Sequence, residues 1–448
     1  MISYPHLWSS IFVKTDHKDF VAACLERSRE VPLTVRLDLK NPGHYDYNDC
    51  TCLRDNLSAK KGLEAMNPCR YHTTIGPLLE IDHLRRIRTL DVRLTIFDSS
   101  EEYDADELLE SAINNSKFSA FPLPALESLN FRVKHNIEID APLELPDALF
   151  RWESSPPTEL RHLALHGCYG GPIMAVRNLT SFELTGVKEV YSPMELDQHF
   201  FLPFISGNPS LISLSLSYFT FPDRAQLSQV TPVKLPRLKS LRLIDMAGLS
   251  GFPGLIDVPA INALSSLRIS ARKRKGGFHD FDFLIRAESD DGFQLSYNTP
   301  YNHEEAPDWL GVMCDAHPCL AFVRFEGHKI DPTKEQQTKA SPLPLFVNAK
   351  VLEIGVSFAG LWYHDFWKDI GKVGPQLTTL RLEVIERTKL AIATSVEKLV
   401  RERFERGMPL TKVERMAFER MSGEREGKAK RLWGEFRAGL DIDQYLSD

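Results

Sequence analysis

The feature of this sequence that most constrains its fold is a spacing of three apolar residues that recurs along most of the chain. In "LKSLRLI" (Leu238–Ile244) and "LSSLRIS" (Leu264–Ser270), apolar residues occupy the first, fourth and sixth places. Nine copies of the spacing stand out, and several follow a Pro or Asn turn signal. They are Leu126/Leu129/Phe131, Leu160/Leu163/Leu165, Leu179/Phe182/Leu184, Leu211/Leu214/Leu216, Leu238/Leu241/Leu243, Leu264/Leu267/Ile269, Leu320/Val323/Phe325, Ala349/Leu352/Ile354 and Leu377/Leu380/Leu382.

The intervals between copies indicate a repeat. The step from Leu211 to Leu238 is 27 residues and the step from Leu238 to Leu264 is 26. Leucine-rich repeats have steps of about 20–29 residues. The other intervals are less regular, as expected if loops of varying length connect the units. Weaker copies are predicted at Ile87/Leu90/Val92 and Val413/Met416/Phe418, with a degenerate copy around Phe293 and Leu295.

The spacing also predicts how each unit packs. Residues two apart on a strand point to the same face, so the fourth and sixth places face inward and the fifth faces outward. One unit buries its leucines only against its neighbours, so the units must stack. We therefore predict an α/β fold, a leucine-rich-repeat solenoid or horseshoe, over residues 33–425, best defined over 126–385. Its concave side would be a parallel sheet and its convex side irregular or helical.

Helices are predicted between strands and at the C-terminal end. Asp104–Asn115 and Glu335–Ala340 have helical patterns between strands. Thr388–Gly407 and Glu424–Leu440 have apolar residues near helical spacing, and Gly407 is a stop signal for the first of them. These two helices either form a helical C-terminal cap on the solenoid, with 426–448 as a helical tail, or bind a partner separately.

The candidate binding residues occupy the fifth place of successive copies. In chain order these places hold Asn130, Ala164, Glu183, Ser215, Arg242, Arg268, Gln294, Arg324, Glu353 and Arg381. We predict that Arg242, Arg268, Arg324 and Arg381 bind a target protein on the concave face, where guanidinium groups would suit an acidic or phosphorylated segment. Arg242 and Arg268 would lie on neighbouring strands. Alternatively, these arginines pair with Glu183, Glu353, Glu326 or Glu383, or are solvated.

The composition indicates which classes of partner and which cellular compartments to expect. The 448-residue chain has a formal charge of −7, so neither nucleic acid nor a membrane is an expected partner. It has no basic leader followed by an apolar stretch, and no apolar run approaches the ~20 residues that span a bilayer. Its seven cysteines are few and odd in number, which favours reduced thiols in the cytoplasm, the nucleus or both.

Signatures of catalysis are not found in the sequence. It has no phosphate-binding loop, dinucleotide fingerprint, nucleophile elbow or zincin motif. We therefore expect a protein that is not an enzyme and that needs no cofactor. Cys50, Cys52, Cys69 and His72 are residue types that ligate zinc, but structural zinc sites favour C-x₂₋₄-C over C-x-C. Free thiols and a metal site both remain open.

Two further segments have alternative readings. The basic cluster Ala271–Gly277 is either a solvated loop or a contact for nuclear import or an acidic partner. The aromatic group Leu361–Trp367 is either packed in the fold or an exposed hot spot for a partner.

The N-terminal region resembles a known family. "YPHLWSSIFV" (Tyr4–Val13) is followed by "FVAACLERSREVPLTVRLDL" (Phe20–Leu39). This is similar to the segment after the F-box in basidiomycete fungal F-box/leucine-rich-repeat proteins, where a helix ending in L-x-RS leads to a first strand. Leu399–Phe418 also resembles the closing unit of that family. The matching N-terminal residues are Pro5, Leu7, Trp8, Ile11, Leu25, Arg27, Ser28, Pro32, Leu33, Leu37 and Leu39.

The resemblance implies a function. Residues 1–32 would be the remnant of a helical segment that follows an F-box, and the F-box itself would be missing or truncated. The chain would be the substrate-recognition part of an SCF-type ubiquitin ligase. A Skp-type adaptor and a cullin would be partners only of a longer form that contains an F-box. The alternative is a leucine-rich-repeat scaffold or regulator unconnected to ubiquitination.

Overall fold

The fold is seen in a computed structural model, which divides the chain into two compact units. The first unit comprises residues 1–238 and 254–257, and the second comprises 239–253 and 258–448. The structure describes residues 4–13, 18–40, 78, 81–96, 123–135, 143–144, 156–169, 173, 175–186, 194–221, 231–246, 252–273, 281–300, 322–327, 348–355, 374–383, 389–416 and 423–446.

The described strands are mostly short. In chain order they are β1 (Ser10–Val13), β2 (Leu33–Lys40), β3 (Ile87–Ile96), β4 (Ser128–His135), β5 (Leu143–Glu144), β6 (His162–His166), β7 (Cys168–Tyr169), β8 (Ser181–Thr185), β9 (Met194–Glu195), β10 (Ser213–Ser217), β11 (Phe219–Thr220), β12 (Val233–Lys234), β13 (Ser240–Ile244), β14 (Ile256–Asp257), β15 (Leu264–Lys273), β16 (Phe281–Ser289), β17 (Gln294–Pro300), β18 (Phe322–Gly327), β19 (Val351–Ile354), β20 (Thr379–Leu382) and β21 (Lys412–Arg415).

The described helices lie between strands or at the C-terminal end. The α-helices are α1 (Lys18–Ser28), α2 (Ile81–Leu84), α3 (Gln198–Ser206), α4 (Phe252–Leu255), α5 (Lys389–Glu405) and α6 (Gly423–Ala438). Short 3-10 helices span Pro5–Trp8, Pro259–Ala263 and Asp443–Tyr445. The helices predicted at Asp104–Asn115 and Glu335–Ala340 lie outside the described residues.

The first unit contains a parallel sheet in the strand order β1-β2-β3-β4-β6-β8-β10. Its register confirms the repeat spacing. The fourth places Leu129, Leu163, Phe182 and Leu214 are aligned across four neighbouring strands. The fifth places Asn130, Ala164, Glu183 and Ser215 are aligned beside them. The sheet begins at β1, one strand earlier than the sequence predicted.

One face of this sheet is buried, and the apolar side chains of the repeat pattern form that face. The first places Leu126, Leu160, Leu179 and Leu211 are all buried, as are the fourth and sixth places of the same copies. α3 adds aromatic rings to this core, since Phe204 lies 4.7 Å from the ring of Phe182, centroid to centroid. Asp197 begins that helix by accepting a hydrogen bond from the His199 N–H, at 2.8 Å.

A fully buried amide, that of Asn208, joins α3 to the preceding repeat. Its Oδ1 accepts the Leu179 N–H at 3.0 Å, and its Nδ2 donates to the Val176 carbonyl at 3.2 Å and the Phe204 carbonyl at 2.9 Å. Backbone groups in a loop have no ladder partner, so a side chain that supplies both donor and acceptor satisfies them. Asn208 therefore holds two successive repeats in register.

The chain turns sharply as it leaves several of these strands. The eighth place of the copy that begins at Leu160 is Gly167, with φ +69°, and the corresponding Tyr218 has φ +63°. A Cβ on Gly167 would lie 2.6 Å from the Val133 carbonyl oxygen, which is too close. Gly186, at the same place in the next copy, would place a Cβ 2.7 Å from the Tyr218 carbonyl oxygen. Glycine is therefore needed at 167 and 186, where neighbouring backbones approach each other, whereas the copy that begins at Leu211 accommodates Tyr218 at this place.

Trp8, Arg27 and Ser28, three of the residues that suggested the family resemblance, make defined contacts in the N-terminal segment. The guanidinium of Arg27 lies 4.3 Å from the Trp8 ring centroid. The buried Ser28 hydroxyl donates to the Leu25 carbonyl and accepts from Arg86 Nη2 at 2.7 Å. Arg86 also donates to the Val31 carbonyl. These residues therefore have structural roles that are sufficient to explain their presence.

The second unit contains a mostly parallel sheet in the order β13-β17-β16-β15-β18-β19-β20-β21. β16 is antiparallel to both of its neighbours, β15 and β17. The strand predicted around Phe293 and Leu295 is confirmed, because β17 runs parallel to β13 with Leu295 opposite Leu241. The antiparallel β16 was not predicted, since its residues do not follow the repeat spacing.

The weaker terminal copies have different outcomes. The copy at Ile87 is confirmed by β3, in which Leu90 and Val92 are buried. The copy at Val413/Met416/Phe418 was placed in the wrong frame. Val413 pairs with Leu380, which is the fourth place of its own copy, so the first place is the buried Leu410. The pattern was misread because Arg415 occupies the sixth place, where an apolar residue is expected.

Both C-terminal helices are confirmed, and they lie near the last described strand. α5 ends at Glu405 and is followed by Gly407 at φ +72°. The segment after α6 packs on α5, where the Tyr445 ring lies 5.6 Å from that of Phe404. Arg403, 1% exposed, donates to carbonyls of the turn before β20 at Gly374, Pro375 and Leu377. The chain is thus an α/β protein whose main strands are largely parallel.

Candidate partner-binding face

The candidate site lies on the face of the sheet opposite the buried leucines, which we call the outer face. It carries the third, fifth and seventh places of each repeat. In the first unit, β6 shows the alternation clearly, since Leu163 and Leu165 are buried whereas His162 is exposed. The outer face is polar because only the other face is covered by the chain's own apolar core.

In the second unit, charged residues form a line across the outer face, which we call the arginine row. Its members lie in Cα register on eight successive strands. From β13 to β21 they are Arg242, Ser296, Arg286, Arg268, Arg324, Glu353, Arg381 and Glu414. Neighbouring strands lie about 4.8 Å apart, so the row brings all four predicted arginines onto one line.

The predicted order within this line was partly wrong. Arg242 and Arg268 were expected on neighbouring strands, but β17 and β16 lie between them. Gln294 was expected in the row, but it pairs with Ser240, and Ser296 is the residue opposite Arg242. The cause is that β15, β16 and β17 form an antiparallel series after β13. The third of these strands, β17, is the one that pairs with β13. Arg268 and Arg324 are instead direct neighbours.

Arg381 pairs with two carboxylates of the row. It donates to Glu353 Oε1 at 2.9 Å and to Glu414 Oε2 at 3.0 Å. The hydrogen bond to Glu353, followed by that to Glu414, raises the pKa of Arg381 above its ordinary value. For Arg381, the alternative stated from the sequence is therefore confirmed, because this arginine pairs with Glu353.

Arg242 and Arg286 differ from Arg381. Both side chains are exposed, and neither makes an ion pair with any residue of the described ranges. Arg286 was missed by the sequence reasoning because it lies on the antiparallel β16. The alternation of "FLIRAES" around it is the signal that could have placed it on a half-buried strand. Arg268 and Arg324 have a defined backbone register, and their side chains lie outside the described residues.

The outer face of the first unit holds a second group of charges, which the sequence reasoning did not find. Asp91 on β3 lies 3.6 Å from the Arg36 Nε and 3.2 Å from the Arg93 Nη2. On the neighbouring strand, Arg132 donates to the Asn130 side-chain oxygen at 3.2 Å. Asp91 thus offsets part of the charge of Arg36 and Arg93, whereas Arg132 lies directly opposite Arg93 and bonds to a neutral amide.

His166 on β6 is the most shielded titratable group in this part of the face. Burial lowers the pKa of His166, and the negative charge of Glu183, whose Oε1 lies 4.0 Å from Nε2, acts in the opposite direction. Cys168, two residues on, is fully buried, which raises its thiol pKa and makes it a poor nucleophile.

Other predicted sites lie elsewhere or beyond the described part of the chain. Cys50, Cys52, Cys69 and His72 lie outside the described residues, as does the aromatic group at 361–367. Among the residues that are described, no three His, Cys, Asp or Glu side chains are grouped as metal ligands would be. The basic cluster begins within β15, which continues to Lys273. No described helix has both the length and the apolar composition needed to cross a bilayer.

Comparison with known proteins adds no relative to these observations. No family model matches the chain, and a search of curated proteins finds no match.

Proposed function

We propose that this chain is a leucine-rich-repeat solenoid whose function is to bind another protein. The observation that carries the proposal is the arginine row, a line of mostly charged residues held in register, in which Arg242 and Arg286 are exposed. Repeats that stack side by side create such extended surfaces, and recognition is their usual role. The described residues offer a surface for contact, whereas catalysis would need a nucleophile, acid or base in defined geometry.

The more specific proposal is substrate recognition for a ubiquitin ligase of the SCF type. It is supported by the resemblance of the N-terminal segment to basidiomycete F-box/leucine-rich-repeat proteins. In such an assembly the repeat domain holds the target while the F-box contacts a Skp-type adaptor. The alternative, a scaffold or regulator unconnected to ubiquitin, fits the same outer face and differs only in the machinery to which it is attached.

Affinity purification of the endogenous gene product distinguishes between a ubiquitin-ligase receptor and a scaffold or regulator. A tag at the C-terminal end captures every expressed form, whatever its N-terminus. We expect mass spectrometry to find a target protein, a Skp-type adaptor and a cullin together. A target without ligase subunits would support the scaffold alternative. Failure to enrich any protein over an untagged control strain would contradict the proposed interaction function itself.

A further inference from the structure

In the arginine row, three arginines follow one another on adjacent strands with no acidic residue between them in register, and Glu353 comes only after Arg324. Arg286 lies opposite Arg268, and Arg268 lies opposite Arg324, so three arginines occupy adjacent strands. Arg242 follows two strands away from Arg286, with Ser296 between them. Like charges placed directly opposite on a sheet are destabilising. A row of this kind is more favourable when a bound anion offsets the repulsion.

The two ends of the row differ in how their arginines are balanced. Arg381 has Glu353 on one side and Glu414 on the other, both within hydrogen-bond distance. Arg242 and Arg286 are exposed and have no ion pair within the described ranges. The nearest carboxylate on the same strand and face as Arg286 is that of Glu288, which is exposed and also makes no ion pair there. These two guanidiniums are therefore available to a ligand.

The strand spacing favours a phosphate over a series of carboxylates. The arginines repeat at about 4.8 Å, whereas side chains on one face of an extended peptide repeat at about 6.6 Å. Successive Asp or Glu side chains therefore cannot stay in step with the row. A phosphate monoester carries nearly two charges and three acceptor oxygens on one atom, so a single group can engage several guanidinium forks.

The surroundings favour a peptide over a nucleic acid. The row is short, and Glu353 lies directly beyond Arg324. A long polyanion would continue past the arginines and meet this carboxylate and that of Glu288. The net charge of −7 also opposes a long polyanion. A compact dianion on a protein segment needs only the arginines, and the neighbouring Ser296 leaves room for it.

We propose that Arg242 and Arg286, which flank Ser296 in the arginine row, receive a phosphorylated serine or threonine in a segment of the partner protein. The inference rests on the proposed recognition function and names the chemistry that the outer face selects. Arg381 is excluded from this site, because its two carboxylate partners already occupy its guanidinium. Binding would thus depend on a kinase acting on the partner.

Immobilised peptide pools test the inference with the full-length chain. Each pool has degenerate flanking positions and a fixed central residue, which is phosphothreonine, threonine or glutamate. We expect at least tenfold more protein retained on phosphothreonine than on either other pool. The double variant Arg242→Glu/Arg286→Glu should lose at least tenfold of that retention. The control Lys239→Glu/Lys350→Glu changes the same charge at exposed positions before β13 and β19, and should bind like the unmodified chain.

Several outcomes would overturn the inference. Equal retention on glutamate would mean that any acidic segment suffices, and equal retention on threonine would mean that phosphate is not recognised. Tighter binding of a short duplex DNA would point to nucleic acid. Unchanged binding by the Arg242→Glu/Arg286→Glu variant would place the site elsewhere. If the pools fail while the endogenous purification still yields a target, the recognition function stands and only the phosphate inference fails.

Discussion

Replacement of Asn208 by alanine is expected to destabilise the first unit more than any other single change considered for this chain. The substitution leaves the Leu179 N–H and the Phe204 carbonyl without their side-chain partner, whereas the Val176 carbonyl keeps a hydrogen bond from Arg177 Nη1 at 2.8 Å. Each buried polar group left unsatisfied costs about 1–3 kcal/mol, so we expect a loss of about 4 kcal/mol in the free energy of unfolding. Urea denaturation measures the loss in the free energy of unfolding. Hydrogen exchange of peptides from 160–221 shows whether the loss is located in these repeats.

The control for this experiment is Asn130→Ala on the outer face. Asn130 is half-buried and accepts one hydrogen bond from Arg132. Surface changes of this kind usually alter stability by less than about 0.5 kcal/mol. Similar exchange protection in the Asn208→Ala and Asn130→Ala proteins would show that Asn208 does not hold the two repeats together.

The second large effect is expected for Gly167→Ala. The new Cβ would lie 2.6 Å from the Val133 carbonyl oxygen, and backbone atoms cannot move aside cheaply. The residue also has φ +69°, a left-handed conformation that costs an L-residue about 1–2 kcal/mol. Strain from overpacking adds about 1–3 kcal/mol, so we expect a total loss of about 3 kcal/mol. Hydrogen exchange in β4 and β6 should report it.

Two other glycines separate the contributions to this effect. Gly292 has φ +81° and nothing within 4 Å of a built Cβ, so Gly292→Ala should show the conformational cost alone. Gly186 lacks the positive φ but would place a Cβ 2.7 Å from the Tyr218 carbonyl oxygen, so Gly186→Ala should show the clash alone. If Gly167→Ala proves no more harmful than Gly292→Ala, the close approach of neighbouring repeats is not a constraint on this fold.

The sequence predicts the parts of this fold that depend on alternation. Leu129, Leu163, Phe182 and Leu214 are buried in one aligned line because a parallel ladder repeats the same two-residue period on every strand. The end of α5 was also predictable, since Gly407 provides the left-handed residue that stops a helix. Local patterns of this kind contain the information that determines the local structure.

The remainder depends on contacts between residues far apart in sequence. The return of β17 to pair with β13 places Arg286 in the arginine row, and no local spacing reports that pairing. The frame of the last strand was wrong because Arg415 stands at an apolar place. The pairing of Asp91 with Arg36 and Arg93 likewise depends on which strands lie side by side.

Site-specific photo-crosslinking tests the central claim, that the outer face binds the partner, most directly. A benzophenone amino acid would be placed on that face at Ser215 in the first unit and at Ser296 in the second. Matched sites at Lys239 and Lys350 lie on exposed turns that precede strands. We predict that the purified target is crosslinked from one or both serine positions and not from the lysine positions. Crosslinks that form only from the lysine positions, or equally from all four, would contradict it.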